Sequence, residues 1–230
     1  VTGAATKMSK SLGNIVSPDD IVRDYGCDTL RMYELFIGPP ELDSIWDDSG
    51  IEGIYRFINR LYNMVMTNKD RSSTETNELV KLRHKMVFDI TQRLEQFNLN
   101  TVISGFMEYN NKFIELTKTT GVDIETLKTL VLLIAPFAPH IGEELWEQLG
   151  EKDSVFHHAW PTYSEEAMAD DEKEIAVQIN GKTKVTVNIS VNDDKNTVLA
   201  KAKEALGDRL TGNIIKEIYV PGKIVNIVAK

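Results

Sequence analysis

The sequence is poor in cysteine and histidine, on which many compact functional sites are built. Cys27 is the only cysteine among 230 residues, and there are four histidines. A single cysteine excludes a disulfide framework within the chain and a cysteine-based zinc site, and it is typical of a reducing cytosol. No Asp, Ser or Cys lies at a spacing from a histidine that indicates a catalytic triad or a metal site. We therefore expect no bound metal and a cytoplasmic location.

The sequence also lacks a long hydrophobic run. Its most apolar stretch, residues 130–137, is too short to span a bilayer and contains Pro136, and no signal peptide is found. We expect no membrane association. Apolar residues still make up 42% of the chain, enough for the core of one large or two modest domains. Because the chain begins with Val1 rather than Met, we expect a piece of a longer protein.

Positive charge is scarce overall but unevenly distributed. The net charge is -9, yet residues 175–230 hold nine basic and five acidic side chains, a surplus of +4, so that the remainder carries -13. Binding to nucleic acid depends on cations that neutralise phosphates. If the chain binds RNA through bulk charge, we expect the C-terminal segment to make the contact.

The most informative motif lies near the N-terminus, where residues 7–14 read Lys-Met-Ser-Lys-Ser-Leu-Gly-Asn. Lys7 and Lys10 place two ammonium groups three residues apart on a small loop that also carries hydroxyl donors. Such groups can follow a pyrophosphate as it gains negative charge and departs. The pattern predicts a polyphosphate site, and we expect ATP to contact Lys7, Met8, Ser9, Lys10 and Ser11.

Residues 7–11 match letter for letter the second signature loop of class I aminoacyl-tRNA synthetases, and the chain as a whole resembles the C-terminal part of bacterial leucyl-tRNA synthetases. The resemblance covers nearly the whole sequence. Its other carriers are Ser17–Val22, Tyr25-Gly26, Asp28–Arg31, Gly53, Arg56-Phe57, Arg60, Phe97-Asn98, Ala135–His140, Glu143–Trp146 and Val177–Lys182.

This resemblance implies a leucine–tRNA ligase reaction in the longer protein. There, the leucine carboxylate attacks the α-phosphate of ATP, and Lys7 and Lys10 stabilise the departing pyrophosphate, with Lys10 as the favoured direct contact. ATP, its Mg²⁺ and leucine would be held through an N-terminal catalytic domain that this sequence lacks. We expect the fragment alone to bind no cofactor and to be inactive. The implied macromolecular partner is tRNA(Leu).

Apolar spacing predicts an α+β protein that is mainly a helical bundle. Ser17 and Pro18 begin a short helix that ends at Gly26, and Asp28 caps a second. Three-and-four spacing predicts four further helices, the last broken at Pro136 and Pro139. The resemblance implies that residues 1–48 hold the phosphate loop and stem-contact helices and that 49–150 form a helical tRNA-binding domain of the anticodon-binding type. The polar composition of residues 151–174 predicts an extended connector.

The apolar period changes to two in the C-terminal part, residues 175–230. Asn180-Gly181 predicts a tight hairpin turn, residues 196–206 form one amphipathic helix, and Pro221-Gly222 marks a second hairpin. We therefore expect a ββαββ domain with its helix on one face of the sheet.

Lysines near the predicted turns are the candidate RNA ligands, because turn tips reach phosphates without burying charge. They are Lys182, Lys184, Lys216 and Lys223. In the leucyl enzymes that the chain resembles, the helical domain lies along the tRNA and the small domain reaches its outer corner. Trp46, Trp146 and Trp160 are interpreted as packing residues rather than base-stacking platforms.

Two alternatives remain open. The equivalent region of a valyl- or isoleucyl-tRNA synthetase shares the loop and the helical domain, although those families typically have a different kind of C-terminal region. A non-catalytic tRNA-binding module is a second possibility, and the phosphate loop argues against it.

Overall fold

The computed structural model describes residues 6–71, 74–169, 172–190 and 193–230, with the backbone alone for Glu172. The chain divides into two compact units, residues 1–168 and 169–230. Within the described ranges, no helix is both long enough and apolar enough to cross a membrane.

The first unit is helical. Its α-helices are α1 (Pro18–Tyr25), α2 (Cys27–Phe36), α3 (Asp48–Asn68), α4 (Asn77–Glu95), α5 (Leu99–Thr117), α6 (Ile124–Ile134), α7 (Pro139–Gln148) and α8 (Glu165–Met168), and it has 3₁₀ turns at Lys10–Leu12 and Val155–His157. The apolar spacing of the sequence correctly predicted α3 to α7.

Side-chain caps fix where three of these helices begin. Asp47 accepts from Ser49 N at the start of α3, Thr76 from Leu79 N at α4, and Asp123 from Thr126 N at α6. Each cap satisfies a backbone N–H that has no partner within its helix. The predicted cap of α2 is wrong, because Gly26 occupies that position and Asp28 lies inside the helix.

One hydrophobic core joins α1 to α7. Its fully enclosed side chains include Ile54 and Leu61 of α3, Ile90 of α4 and Phe106 of α5. Helices α6 and α7 approach closely at Gly142, where an added Cβ would lie 2.8 Å from the Cβ of Ala135. The break between them falls in the proline-containing turn, as predicted.

The segment predicted as an extended connector is instead folded onto the first unit as far as Met168. The indole N–H of Trp160 donates to the hydroxyl of Thr91 at 2.9 Å, and the ring of Tyr163 meets Phe88 edge-on with centroids 5.1 Å apart. Helix α8 packs against α4. The polar composition concealed the aromatic side chains that anchor this segment. Asp170 and Asp171, within the predicted connector, lie outside the described residues.

The second unit has the predicted ββαββ order. It consists of β1 (Glu172–Ile179), β2 (Lys182–Ser190), α9 (Lys195–Leu206), a 3₁₀ turn at Gly207–Arg209, β3 (Ile214–Val220) and β4 (Ile224–Ala229). The sheet order is β2-β1-β4-β3, with β1 and β4 parallel and both hairpins antiparallel. Val198, Ala202 and Leu206 of α9 are buried against Val177 and Val225. The two units together confirm the predicted fold class.

Candidate functional site

The lysine-containing loop folds around a single 3₁₀ turn. The hydroxyl of Ser9 accepts from Leu12 N at 3.3 Å, and Gly13 N donates to the carbonyl of Lys10 at 3.3 Å. Gly13 has φ of 65°, in the left-handed region that glycine tolerates without a Cβ clash. Small residues in the sequence thus produce a tight local turn that ends immediately after the second lysine.

The side chain of Asn14 closes this loop from the other end. Its Oδ1 accepts from Ser9 N at 2.8 Å, and its Nδ2 donates to the carbonyl of Lys7 at 3.3 Å. The amide group therefore bridges the backbone on both sides of Met8. The sequence indicates Asn14 only as a residue that, with Gly13, tolerates the turn at the end of the loop, and its bridging contacts have no local signal.

Both lysines of the loop are exposed and carry free positive charge. Neither Lys7 nor Lys10 forms an ion pair with a carboxylate of the described residues. The hydroxyls of Ser9 and Ser11 lie 3.2 Å apart, beside Lys10. Two unpaired ammonium groups and two hydroxyls on one short loop suit an anionic ligand with several oxygens.

A cavity of 840 Å³ separates the loop from the segment that precedes α3. It is lined by Thr6, Lys7, Met8, Asn14, Asp43, Ser44, Ile45 and Trp46. This volume lies within the range of small-molecule sites in proteins.

The far wall of this cavity is held firmly by α2. The ring of Trp46 lies edge-on to Tyr33 with centroids 5.0 Å apart, and its indole N–H donates to Asp48 at 2.9 Å. The hydroxyl of Tyr33 donates to the carbonyl of Asp47 at 2.8 Å and accepts from Asp47 N at 2.9 Å. Burial raises the pKa of Tyr33, so the phenol stays protonated as a donor. A loop closed by its own hydrogen bonds thus faces a wall that is packed and hydrogen-bonded against α2.

The charge at the loop suits an anionic ligand. No group of three His, Cys, Asp or Glu side chains in the described ranges is placed to hold a metal ion. Among the described residues, Asp43 is the only carboxylate that lines the cavity. The loop therefore offers unpaired positive charge to an anion.

In the second unit, the predicted turn at Asn180-Gly181 is confirmed. Both residues have positive φ, 51° and 80°, as a type I′ turn requires. The side chain of Asn180 also accepts from Ala229 N at 3.1 Å and donates to the carbonyl of Ala229 at 2.9 Å. It therefore extends the parallel β1–β4 ladder and ties the hairpin to the C-terminal strand.

Three of the four candidate RNA-binding lysines lie toward the same end of the sheet. Lys182 follows the hairpin turn and pairs with Ile179, and Lys184 lies at the register shift between β1 and β2. Lys216 pairs with Val228, the residue after Ile227, and Ile227 is itself the partner of Ile179. Lys223 precedes β4 at its opposite end. The structure thus places Lys182 and Lys184 on one edge strand and Lys216 on the opposite edge strand, all toward the hairpin end, whereas Lys223 lies at the other end of β4.

Two protein-family models match the chain. Residues 76–199 match the anticodon-binding domain of tRNA ligase, and residues 1–44 match the class I tRNA synthetases for I, L, M and V. The first match covers more than half of the sequence, including the helices from α4 to α7. The second covers the lysine-containing loop.

Curated relatives and a solved structure also match this chain over nearly its whole length. A leucine–tRNA ligase of Fervidobacterium nodosum is 40% identical over 97% of this chain and 30% of the relative, and one of Phocaeicola vulgatus is 41% identical over 98% and 24%. The crystal structure of an Agrobacterium radiobacter K84 agnB2 LeuRS in a ternary complex with tRNA and LeuAMS superposes with a TM-score of 0.72 at 30% identity, covering 97% of this chain and 32% of that one. The chain spans a third or less of each of these proteins.

Proposed function

Because this chain belongs to the family of tRNA-ligase anticodon-binding domains, we propose that it is the C-terminal part of a leucine–tRNA ligase. The complete enzyme activates leucine with ATP and transfers it to tRNA(Leu), in the cytoplasm. The observation that carries the proposal is 40% identity to a leucine–tRNA ligase over 97% of the chain. The named relatives favour leucine over the valine and isoleucine alternatives.

In this proposal, the loop at residues 7–11 binds the polyphosphate of ATP and Lys7 and Lys10 are the catalytic groups. Negative charge builds on the pyrophosphate as it leaves, and free ammonium groups stabilise that charge more in the transition state than in the ground state. Unpaired lysines support this role, because a carboxylate partner would cancel their charge. The catalytic part that precedes this chain in the complete enzyme holds leucine, ATP and the Mg²⁺ that accompanies ATP.

The second unit contributes tRNA contacts from the hairpin end of its sheet. Lys182 and Lys184 lie there on one edge strand and Lys216 on the other, and Asn180 fixes the turn that presents Lys182. Lys223 contacts the same RNA only if that RNA extends along the sheet to its opposite end. Salt-dependent contacts of this kind add affinity without reading sequence.

A chimeric enzyme tests the proposed function. This chain replaces the matching segment of the Fervidobacterium nodosum leucine–tRNA ligase, and leucine-dependent pyrophosphate exchange and tRNA(Leu) charging are measured. We expect both activities, and we expect the isolated chain to show neither. Lys10→Ala in the chimera should lower adenylate formation by about a hundredfold or more, the usual cost of one charge-stabilising donor.

Two controls make this result decisive. Arg23→Ala removes an exposed cation that is already paired with Asp20 and Asp24, and it should leave exchange unchanged. Charging with valine or isoleucine in place of leucine would contradict the amino-acid assignment. Unchanged pyrophosphate exchange in Lys10→Ala would contradict the role of the loop.

A further inference from the structure

The segment that precedes α3 carries a run of carboxylates opposite the lysine-containing loop. Residues 41–48 read Glu-Leu-Asp-Ser-Ile-Trp-Asp-Asp, so half of them are acidic and none is basic. We call Glu41, Asp43, Asp47 and Asp48 the acidic wall. Residues of the loop and of this segment line the same 840 Å³ cavity. Opposite charges therefore lie on its two sides.

Two members of the acidic wall are already engaged at the start of α3. Asp47 accepts from the backbone N–H of Ser49 at 3.1 Å and from its hydroxyl at 2.6 Å, and these bonds lower the pKa of Asp47. Asp48 accepts from the indole N–H of Trp46 at 2.9 Å. The negative charge of both groups is thus used locally.

Asp43 combines a free carboxylate with a place in the cavity. In the part of the chain that the structure describes, the exposed side chains of Asp43 and Glu41 have no hydrogen-bond or ion-pair partner. Of these two carboxylates, only that of Asp43 belongs to a residue lining the cavity. Asp43 therefore brings an uncompensated negative charge to the space beside the loop.

The two lysines of the loop are also unequal. Lys7 lines the cavity together with Met8, whereas Lys10 lies on the 3₁₀ turn and is not one of the lining residues. Lys7 is therefore the cation that shares the cavity with Asp43. A single unpaired cation and a single unpaired carboxylate face the same space.

The loop and the acidic wall differ in how they are held. Hydrogen bonds of Ser9 and Asn14 close the loop on itself, and within the described ranges none joins the loop to the acidic wall. The wall is anchored to α2, because the hydroxyl of Tyr33 contacts both the N–H and the carbonyl of Asp47. This geometry allows the loop to move as a unit toward a fixed carboxylate.

We propose that Asp43 is a positioning residue that holds Lys7 in an ion pair across the cavity while the nucleotide site is empty, and that the polyphosphate of ATP displaces it. The inference rests on the proposed function and adds a means of regulating the same site. In this structure the cavity separates the two charges, so the pair forms by a movement of the loop. ATP replaces the carboxylate because several phosphate oxygens attract the ammonium group more strongly than one carboxylate does.

The exposure of both side chains sets the strength of this latch. An exposed ion pair is weak, and one of this kind favours the paired loop by about twofold to fivefold. Binding of ATP requires the unpaired loop, so the apparent affinity for ATP falls by the same factor. The pair therefore keeps the empty loop in one place at a small cost in affinity.

A different role for Asp43 would be to bind the Mg²⁺ that accompanies ATP, since proteins bind this ion through carboxylates and substrate phosphates. The structure favours the ion pair, because Lys7 lines the same cavity and repels a divalent cation. The two roles predict opposite changes in ATP affinity. Removing an ion-pair partner frees the lysine and strengthens binding, whereas removing a metal ligand weakens it.

Pyrophosphate exchange by the chimeric enzyme tests the latch. Asp43→Asn should lower the KM for ATP by about twofold to fivefold and leave kcat unchanged, because saturating ATP has already displaced the carboxylate. Asp43→Glu keeps the charge and should keep the KM of the unmodified chimera. Glu41→Gln is the matched control, since it removes an exposed carboxylate two residues away that does not line the cavity.

A double-mutant cycle separates the ion pair from direct repulsion between Asp43 and the phosphates. In a Lys7→Ala background, Asp43→Asn should change the KM for ATP by less than about twofold, because the carboxylate has no lysine to hold. A KM that still falls as far as in the single variant would show that Asp43 acts on ATP directly, and it would overturn the latch.

Carbodiimide crosslinking detects the pair without any enzymatic activity, because the reagent joins an ammonium group to a carboxylate in contact with it. In the 230-residue chain, mass spectrometry should find the Lys7–Asp43 crosslink at a higher yield than Lys7–Glu41 or Lys10–Asp43. In the active chimera, ATP should suppress that crosslink. A Lys7–Asp43 yield no higher than that of Lys7–Glu41 would overturn the proposal.

The outcomes separate this inference from the proposed function. If the chimera is active and Asp43→Asn has the same KM for ATP as Glu41→Gln, the latch is wrong and the ligase proposal stands. A KM that rises in Asp43→Asn would assign the residue to the magnesium ion and would also reject the latch. If the chimera is inactive but the Lys7–Asp43 crosslink forms in the chain, the ligase proposal falls and the contact stands.

Discussion

The carboxylate of Asp28 in α2 accepts a 2.7 Å hydrogen bond from the backbone N–H of Ile141, in the first turn of α7. Its other oxygen lies 2.8 Å from His140 Nδ1. The Asp28 side chain is 9% exposed, and it caps a helix that lies 113 residues away in sequence. The N-terminal helical pair, which follows the lysine-containing loop, is thereby fixed to the bundle.

Replacing Asp28 should destabilise the first unit. In Asp28→Ala, the N-terminus of α7 loses its cap and the partly buried N–H of Ile141 loses its acceptor, so the free energy of unfolding should fall by about 1–3 kcal/mol. Urea unfolding followed by circular dichroism measures the change. Asp28→Asn keeps an acceptor oxygen for Ile141 and should recover part of the stability. An alanine variant as stable as the unmodified chain would show that the contact adds nothing.

This contact marks the limit of what the sequence could predict in the helical unit. Local patterns were sufficient for α3 to α7, because apolar spacing and capping residues act within a few turns. The same local logic assigned Asp28 to the start of its own helix. The guanidinium of Arg31, one turn further along α2, donates to the carbonyl of Pro136 at 3.2 Å. Both partners depend on how α2 packs against the α6–α7 turn, which no short-range pattern encodes.

The candidate site was likewise predictable from the sequence only in part. The motif at residues 7–11 was readable because its chemistry is carried by residue type and spacing. The wall formed by Trp46 and Tyr33 was not readable, since it depends on the packing of α2 against the segment before α3. In the second unit, turn residues predicted both hairpins. The parallel pairing of β1 with β4 involves residues nearly fifty positions apart and had no local signal.

Removing the Asn14 side chain should loosen the phosphate loop without removing its charge. In the chimeric enzyme, Asn14→Ala loses the contacts to Ser9 N and to the Lys7 carbonyl, so the lysines sample more positions and the pyrophosphate-exchange kcat should fall about tenfold, less than in Lys10→Ala. Arg23→Ala is the control, because Arg23 pairs with Asp20 and Asp24 and makes no contact with the loop. Hydrogen exchange of the Ser9 amide should quicken in Asn14→Ala alone. A kcat equal to that of Arg23→Ala would refute the bridging role.

Glu143 should contribute to acid sensitivity. The hydroxyl of Ser154 and the backbone N–H of Val155 donate to its carboxylate, and these bonds hold the pKa of Glu143 below its ordinary value of 4.5. A carboxylate whose pKa is lower in the folded state stabilises the fold above its unfolded pKa, and that stability is lost as the pH falls through the folded pKa. The unmodified chain should therefore lose more stability below about pH 4.5 than Glu143→Gln does. Unfolding midpoints at pH 7 and pH 3.5 give the comparison, and parallel pH profiles would contradict the prediction.

The lysines of the second unit should differ in importance according to their position on the sheet. Lys182 and Lys216 lie toward the hairpin end on its two edge strands, whereas Lys223 precedes β4 at the other end. A tRNA that docks at the hairpin end contacts both Lys182 and Lys216. Lys182→Ala combined with Lys216→Ala should therefore weaken binding and reduce the slope of log affinity against log salt concentration by nearly two, at about 0.9 per phosphate. Lys223→Ala should leave that slope unchanged, and Arg23→Ala again serves as the control. If Lys223→Ala reduces this slope as much as the substitution of one hairpin-end lysine does, the RNA must extend along the sheet. Only then does one RNA molecule neutralise cations at both ends.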